Sequence, residues 1–183
     1  MMRKVVVWNL MTIDGYFEGP NPGEIDWFEY VWGEELERFS LDQAEEVGAL
    51  LFGRVTYEGM ADYWSTATGD IADFMNSIPK FVFSNTLEAA KWNNSRLVKG
   101  RAEEEVPRLK EEAGKDLFIF GSANLTGSLT NHGLIDEYRI GLNPLVLGTG
   151  TPMFKPSDER VRLKLLEARP FQSGVVLLRY ERT

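Results

Sequence analysis

The sequence predicts a three-layer α/β/α fold around a central, mostly parallel sheet that becomes mixed at a C-terminal antiparallel hairpin. Three observations support this prediction. Short apolar segments alternate with segments of helical spacing, as strands and crossover helices do in a parallel sheet. Most apolar segments end at glycine or at small polar residues, where a strand can turn into a helix. The last two, residues 161–168 and 175–180, are joined by a short turn, so we expect them to pair as a hairpin.

Local patterns justify the elements in chain order. Residues 3–13 form a long apolar run typical of a strand buried on both faces, and the Asp14-Gly15 turn ends it. Short apolar runs predict the other strands, at 49–52, 80–83, 96–99, 117–120 and 136–143. Apolar residues three or four positions apart predict helices, at 34–47, 54–63, 70–75, 104–113 and 123–129.

Length and composition limit the class of protein. With 183 residues and 43% hydrophobic content, the chain is expected to form a single domain over residues 1–183. The net charge of −8 argues against binding of nucleic acid or anionic membranes, which requires basic surfaces. The chain has no cysteine and one histidine, His132, in a turn-rich segment, so no metal site is predicted. A cytoplasmic protein is expected, because no apolar segment has the length of a signal peptide or a membrane span.

The segment 116–154 carries the clearest functional signal. Its strand 117–120 runs into Gly121-Ser122, and the helix 123–129 follows at once. The first amides of a helix lack partners within the helix, and the helix dipole adds positive potential there, so this turn could hold a phosphate. The alternative is that Gly121 only lets the chain turn and Ser122 only caps the helix.

Small, flexible or cationic residues follow several of the predicted strands. Ligands of open α/β sheets bind beyond the carboxyl ends of the strands. The residues at those ends are Asp14-Gly15, Gly53-Arg54, Ser84-Asn85-Thr86, Gly100-Arg101 and Gly121-Ser122. Four of these five groups suit phosphate and ribose, so a nucleotide site is predicted at this edge.

A series of stretches in the same order resembles the dihydrofolate reductase-like superfamily. The similarity is greatest to the C-terminal reductase domain of the bifunctional riboflavin-biosynthesis deaminase-reductase and to its stand-alone relatives. The matching stretches are LMTIDGYFEG, LLFGRVTYEGM, PKFVFSNTL, IFGSANLTGSL, GLIDEYRIGLNPLVLGTGTPMF and SGVVLLRY. The chain lacks the cysteines of the zinc-dependent deaminase half, and no contacts for a phosphoribosyl substrate can be identified.

The resemblance implies NADPH as the cofactor and assigns a role to each strand end. Gly53 and Arg54 would approach the phosphates, and Arg54 with Ser84 and Asn85 would hold the adenosine end and its 2′-phosphate. The residues that would hold the pyrophosphate through backbone amides are Gly121, Ser122, Ala123 and Asn124. Asp14 and Gly15 would lie beside the nicotinamide. Serine in place of glycine at position 122 is expected to require a negative φ.

The proton donor and the substrate wall are predicted from residue chemistry. Asp26 is the first candidate donor, because Trp27 and Phe28 could enclose its carboxyl group and raise its pKa. Asp14 is the second candidate. The structural alternative is a helix or turn cap for Asp26 and an Asp-Gly turn for Asp14. Trp27 and Trp32 border a loop and could form a wall for a flat ring.

The expected function is an NADPH-dependent reductase that transfers a hydride to a small heterocyclic or carbonyl substrate, similar to dihydrofolate reductase or 5-amino-6-(5-phosphoribosylamino)uracil reductase. A nucleotide-binding module or sensor without turnover and a flavin-dependent reductase are the alternatives. Residues 175–178 are apolar in succession, a pattern typical of a strand covered on both faces. A second subunit could supply one cover, and the resemblance also implies a homodimer.

Overall fold

The computed structural model describes residues 2–157 and 160–183. The strands are β1 (Val5–Thr12), β2 (Tyr16–Glu18), β3 (Val47–Gly53), β4 (Lys80–Phe83), β5 (Ser95–Val98), β6 (Asp116–Phe120), β7 (Glu137–Asn143), β8 (Thr151–Pro152), β9 (Leu163–Pro170) and β10 (Val176–Arg182). The helices are α1 (Glu34–Ala44), α2 (Arg54–Trp64), α3 (Asp70–Ser77), α4 (Ala102–Glu111) and α5 (Ala123–Asn131), and a 3₁₀ helix spans Asp26–Tyr30.

Eight of these strands form one sheet in the order β5-β4-β3-β6-β1-β7-β10-β9. The first six are parallel, whereas β10 runs antiparallel to both β7 and β9. β2 and β8 pair separately as a short antiparallel ladder. The predicted α/β fold, with a mostly parallel sheet and a C-terminal hairpin, is therefore confirmed.

Strand β1 shows why helices cover both faces of the sheet. Val5, Val6 and Val7 are each 0% exposed. Val6 belongs to an apolar cluster with buried residues of α1, α2 and α3, whereas Val5 and Val7 belong to a second cluster with residues of α4 and α5. Because successive side chains of a strand point to opposite faces, these two clusters are the two interfaces between sheet and helices.

Some predicted boundaries are wrong for identifiable reasons. The helix predicted for residues 34–47 ends at Ala44, because Val47 already pairs with Asp116 in the sheet. Helix α4 begins at Ala102, and Pro107 lies inside it rather than delaying its start. The 3₁₀ helix and the β2-β8 ladder were not predicted, since elements this short carry no recognisable periodicity. Among the described residues, no helix is both long enough and apolar enough to cross a bilayer.

Lys80 joins the start of β4 to the connection that leads to β5. It is only 1% exposed, and its Nζ donates hydrogen bonds to the carbonyl oxygens of Ile78 (2.8 Å) and Asn93 (3.0 Å). The same atom lies 4.2 Å from the ring centroid of Trp92. Burial lowers the pKa of Lys80 to about 8, since an ammonium group loses solvation inside the protein.

A Lys80→Met variant should change how stability depends on pH. Between about pH 8 and pH 10.5 the unfolded chain holds a proton that folded Lys80 has released, so the free energy of unfolding rises with pH in this window. Between pH 7 and pH 9.5, the free energy of unfolding in urea should rise for the wild type by on the order of 1–2 kcal/mol more than for the variant. Lys115→Met, at an exposed lysine, is the control. Parallel pH profiles for the wild type and Lys80→Met would contradict the assignment.

Candidate functional site

The carboxyl ends of neighbouring parallel strands meet at one edge of the sheet. Four of the predicted strand-end groups follow β4, β3, β6 and β1, which are consecutive in the sheet order. Ser84-Asn85, Gly53-Arg54, Gly121-Ser122 and Asp14-Gly15 therefore lie along this edge in that sequence. Helices α2 and α5 begin directly after two central strands, so their N-termini lie at the same edge.

Hydrogen bonds join the β3-α2 turn to the β6-α5 turn in both directions. The amide of Gly53 donates to the Oγ of Ser122 (3.0 Å), and the amide of Ser122 donates to the Oγ1 of Thr56 (3.0 Å). Each turn thus satisfies a polar group of the other. The Ser122 amide is consequently engaged within the protein and is not among those free to meet an anion.

Gly121 and Ser122 are both in the left-handed region, with φ of 69° and 58°. The expectation of a negative φ for Ser122 is therefore wrong. A non-glycine residue adopts this conformation only when its surroundings favour it, and here Ser122 is 4% exposed and bonded through both its amide and its hydroxyl. A Cβ on Gly121 would lie 2.8 Å from Cγ2 of Thr56, so the position has no room for a side chain.

Asn9, which sequence reasoning missed, fixes the same turn from β1. Its Oδ1 accepts a hydrogen bond from the Gly121 amide (2.6 Å), and its Nδ2 donates to the Gly121 carbonyl (3.4 Å) and to Sδ of Met153 (3.1 Å). Asn9 is 6% exposed. An amide side chain inside a strand predicted to be buried on both faces was the signal that could have revealed it, because buried polar groups need partners.

The four residues predicted to hold a pyrophosphate fall into two pairs that differ in whether their backbone amides already have acceptors. The amides of Gly121 and Ser122 already donate to Asn9 and Thr56. Ala123 and Asn124 lie in the first turn of α5, where amides have no carbonyl partner within the helix. An anion at this end of α5 would therefore meet the first-turn amides and the positive end of the helix dipole.

Arg54 lines an open cleft of about 600 Å³ between α2 and the β4-β5 connection. Its Nη1 lies 2.8 Å from Oε2 of Glu58, and both side chains are 46% exposed. Arg54 thus forms a surface ion pair, but exposed pairs are weak enough for a phosphate to replace. Lys91 also lines the cleft and adds a second cation that was not predicted.

Ser84 and Asn85 shape the adjoining β4-β5 connection. The Ser84 hydroxyl accepts hydrogen bonds from the amides of Thr86 (3.2 Å) and Leu87 (2.9 Å). The Oδ1 of Asn85 accepts one from the Gly100 amide (2.9 Å). Both side chains therefore stabilise the turn that forms one side of the cleft.

Asp14 ties the end of β1 to the β7-β8 connection. Its carboxylate accepts hydrogen bonds from the Thr12 hydroxyl (2.6 Å) and from the amides of Leu147 (3.1 Å) and Gly148 (2.7 Å). The bond from Thr12 is the largest of the effects that lower the pKa of Asp14 to about 2. A carboxylate held in its ionised form to such low pH is unsuited to donating a proton near neutrality.

The segment around Asp26 differs from its predicted arrangement. Asp26 is exposed at the start of the 3₁₀ helix, so Trp27 and Phe28 do not enclose its carboxyl group. Trp27 is only 4% exposed and contacts Phe28 edge-to-face, with ring centroids 4.4 Å apart. Its indole nitrogen is buried without a hydrogen-bond partner among the described residues. Trp32 is 44% exposed, so of the two predicted wall residues it presents the larger accessible surface.

Comparison with known proteins identifies the family. Residues 3–177 match the model of the RibD C-terminal domain. The uncharacterized protein YyaP of Bacillus subtilis (strain 168) is 31% identical over 183 residues, covering 97% of this chain and 94% of its own length.

Solved structures share the fold at lower identity. A protein from Shewanella sp. PV-4, named as a candidate riboflavin biosynthesis protein, superposes with a TM-score of 0.82 at 22% identity, covering 100% of this chain and 99% of its own. Dihydrofolate reductase from Enterococcus faecalis, solved with NADP(H) and RAB-propyl, superposes with a TM-score of 0.68 at 12% identity, with coverage of 100% and 99%. The chain therefore belongs to the RibD C-terminal domain family and has a dihydrofolate reductase-like fold.

Proposed function

We propose that the protein is an NADPH-dependent reductase that transfers a hydride to a small heterocyclic or carbonyl compound. The observation that carries the proposal is the arrangement of one sheet edge, where the α2 and α5 N-termini lie beside a cleft lined by Arg54 and Lys91. Membership of a family of reductase domains supports the same activity.

The donor groups at this edge fit a dinucleotide phosphate. The order of the strand ends would align Ser84, Asn85 and Arg54 with the adenosine end, α5 with the pyrophosphate, and Asp14-Gly15 with the nicotinamide. Guanidinium and ammonium groups suit the 2′-phosphate, and the first-turn amides of Ala123 and Asn124 suit the pyrophosphate. These positive groups act locally, because the chain as a whole carries a net charge of −8.

The residues of the chain serve mainly to orient the reactants. When bound, the cofactor supplies the hydride, and position rather than side-chain nucleophilicity then governs the step. A substrate carbon would gain the hydride with its electron pair and a substrate heteroatom would gain a proton, which would leave the cofactor oxidised. Because Asp14 is held ionised and the carboxyl group of Asp26 is exposed rather than enclosed, water would be the source of that proton.

We also propose that the protein forms a homodimer through the edge strand β9. Val175 and Leu177 are each 0% exposed, so the chain itself covers one side of the apolar segment 175–178. The neighbouring β9 instead exposes Leu163 (39%), Leu165 (51%) and Leu166 (43%). An edge strand with exposed apolar side chains is a natural template for pairing with another chain.

Replacement of Arg54 by alanine should separate the two nicotinamide cofactors. NADPH binding, followed by tryptophan fluorescence, should weaken about tenfold or more through loss of a charge-assisted contact to the 2′-phosphate. NADH, which lacks this phosphate, should bind with nearly unchanged affinity. Arg108→Ala removes a similar surface arginine, paired with Glu105 at 2.6 Å, and serves as the control. Equal losses for both cofactors would refute the 2′-phosphate role, and no NADPH binding by the wild type would refute the proposed function.

Replacement of Thr56 by valine should weaken both cofactors together. The variant leaves the Ser122 amide without its acceptor, and an unsatisfied buried donor costs about 1–3 kcal/mol. We expect a lower midpoint of urea unfolding and weaker binding of NADPH and NADH by a similar factor. Thr126→Val is the matched control, because the Thr126 hydroxyl is buried without a partner among the described residues. A Thr56→Val protein with wild-type affinity would show that the turn does not position the cofactor.

A charge on β9 should disrupt the proposed dimer. Light scattering of the wild type should give twice the mass of one chain, and Leu165→Lys should give the mass of one chain, because a buried lysine without a partner opposes association. Val146→Lys, at an apolar residue that is 68% exposed outside this strand, should leave the dimer intact. A monomeric wild type would refute this proposal without affecting the reductase proposal.

A further inference from the structure

The segments around the proposed nicotinamide end contain no cationic side chain over long stretches. Residues 5–37 span β1, the β1-β2 turn, the 3₁₀ helix and the start of α1, and they include eight acidic residues but no lysine, arginine or histidine. Residues 140–154, between β7 and β8 and around them, contain no charged residue.

Cations are instead concentrated at the opposite end of the same edge. Arg54 and Lys91 line the cleft beside α2, and Lys99 and Arg101 lie at the end of β5. On the other side, Arg169 approaches α1, but its guanidinium lies 5.1 Å from the ring centroid of Phe39 and pairs with Glu167 at 3.4 Å. The adenosine end thus offers cations, although Glu58 and Glu88 line the same cleft and Arg101 pairs with Glu103, whereas residues 5–37 and 140–154 at the nicotinamide end offer none.

The acidic end also presents aromatic surface. Tyr30 is 84% exposed and Trp32 is 44% exposed. Trp27 is packed in the same apolar cluster as α2 residues and Leu145 and Leu147 of the β7-β8 connection. The amide of Ile13, just after β1, donates a hydrogen bond to the Leu145 carbonyl oxygen (2.9 Å), so the β7-β8 connection lies against the end of β1.

A second observation at this end indicates a missing polar contact. The indole N–H of Trp27 is buried and has no acceptor among the described residues. Leaving such a donor unsatisfied costs about 1–3 kcal/mol. Because the nitrogen is buried, a ring carbonyl or ring nitrogen of a bound compound could accept this hydrogen bond only if the segment around Trp27 shifts on binding. A phosphate among the carboxylates of residues 5–37 would in addition meet electrostatic repulsion.

From these observations we infer that the substrate has a flat, uncharged or cationic ring and carries no phosphate. The inference rests on the proposed function, because it concerns the compound that would meet the nicotinamide. A phosphorylated sugar substituent would bring about two negative charges to segments that offer no ammonium or guanidinium group to pair with it. An aromatic ring can instead stack on exposed tyrosine and tryptophan side chains, and a cationic ring gains further from ring faces and carboxylates.

Two matched pairs of compounds test the inference: riboflavin with flavin mononucleotide, and thiamine with thiamine monophosphate. The members of each pair share a ring system and differ by one phosphate. The ring of the riboflavin pair is neutral, whereas the ring system of the thiamine pair is cationic. Equilibrium dialysis against wild-type protein saturated with NADP⁺ prevents turnover during the measurement. In each pair whose ring binds at all, we expect the unphosphorylated member to bind ten times more tightly or better, with an affinity ratio that falls as salt screens the repulsion.

Variants locate the source of the discrimination. Asp26→Asn combined with Glu29→Gln should improve binding of the phosphorylated member. The affinity ratio between the unphosphorylated and the phosphorylated member should therefore fall severalfold. Glu45→Gln combined with Glu111→Gln, at exposed acidic residues outside the proposed site, should leave the ratio unchanged. Circular dichroism spectra of both double variants should match the spectrum of the wild type, because each substitution is isosteric.

The outcomes separate this inference from the proposed function. Tighter or equal binding of the phosphorylated member in either pair overturns the inference, and so does the absence of binding by all four compounds. If NADPH binds and the ratios are near one, the reductase proposal stands and only the substrate class is wrong. If NADPH itself does not bind, the proposed function fails.

Discussion

The reciprocal hydrogen bonds between the β3-α2 and β6-α5 turns constrain the whole candidate site. The amide of Gly53 donates to Ser122, and the amide of Ser122 donates to Thr56, so segments 69 residues apart in sequence complete each other. Because β3 and β6 are neighbours in the sheet, this exchange sets the N-termini of α2 and α5 side by side. The position of Arg54 at the cleft and of the free α5 amides both depend on it.

The left-handed pair Gly121-Ser122 is stable only because a third strand also holds it. Sparsely populated backbone conformations cost of order 1–3 kcal/mol each and persist where the surroundings determine them. Asn9 of β1 stabilises the turn, because its side chain forms hydrogen bonds with both the amide and the carbonyl group of Gly121. The turn is thus fixed from β1 through Asn9, from β3 through Gly53 and from α2 through Thr56. Strain concentrated at a strand end, with three elements maintaining it, is the pattern expected of a ligand-binding turn.

The sequence was sufficient for the fold but only partly for the site. Alternation of apolar runs and helical spacing predicted the main strands, because burial on two faces leaves a strong local signal, as in Val5 to Val7. The conformation of Ser122 could not be predicted, since it depends on Thr56 and Gly53, which are remote in sequence. The contact between Asn9 and Gly121 spans 112 residues and has no local pattern either. The exposure of Asp26 likewise follows from the way Trp27 turns into the core.

The same distinction between local and long-range information applies to electrostatics. The absence of cations from residues 5–37 and 140–154 is visible in the sequence, but its meaning depends on the fold, which places the end of β1 against the β7-β8 connection. Asp14 illustrates the consequence. Its carboxylate is stabilised by the Thr12 hydroxyl and by two backbone amides rather than by a cation. Neutral donors are therefore what this end of the molecule uses to hold negative charge, and each is already committed to Asp14. A further anion arriving there would find neither a cation nor these donors free, whereas an uncharged ring would need neither.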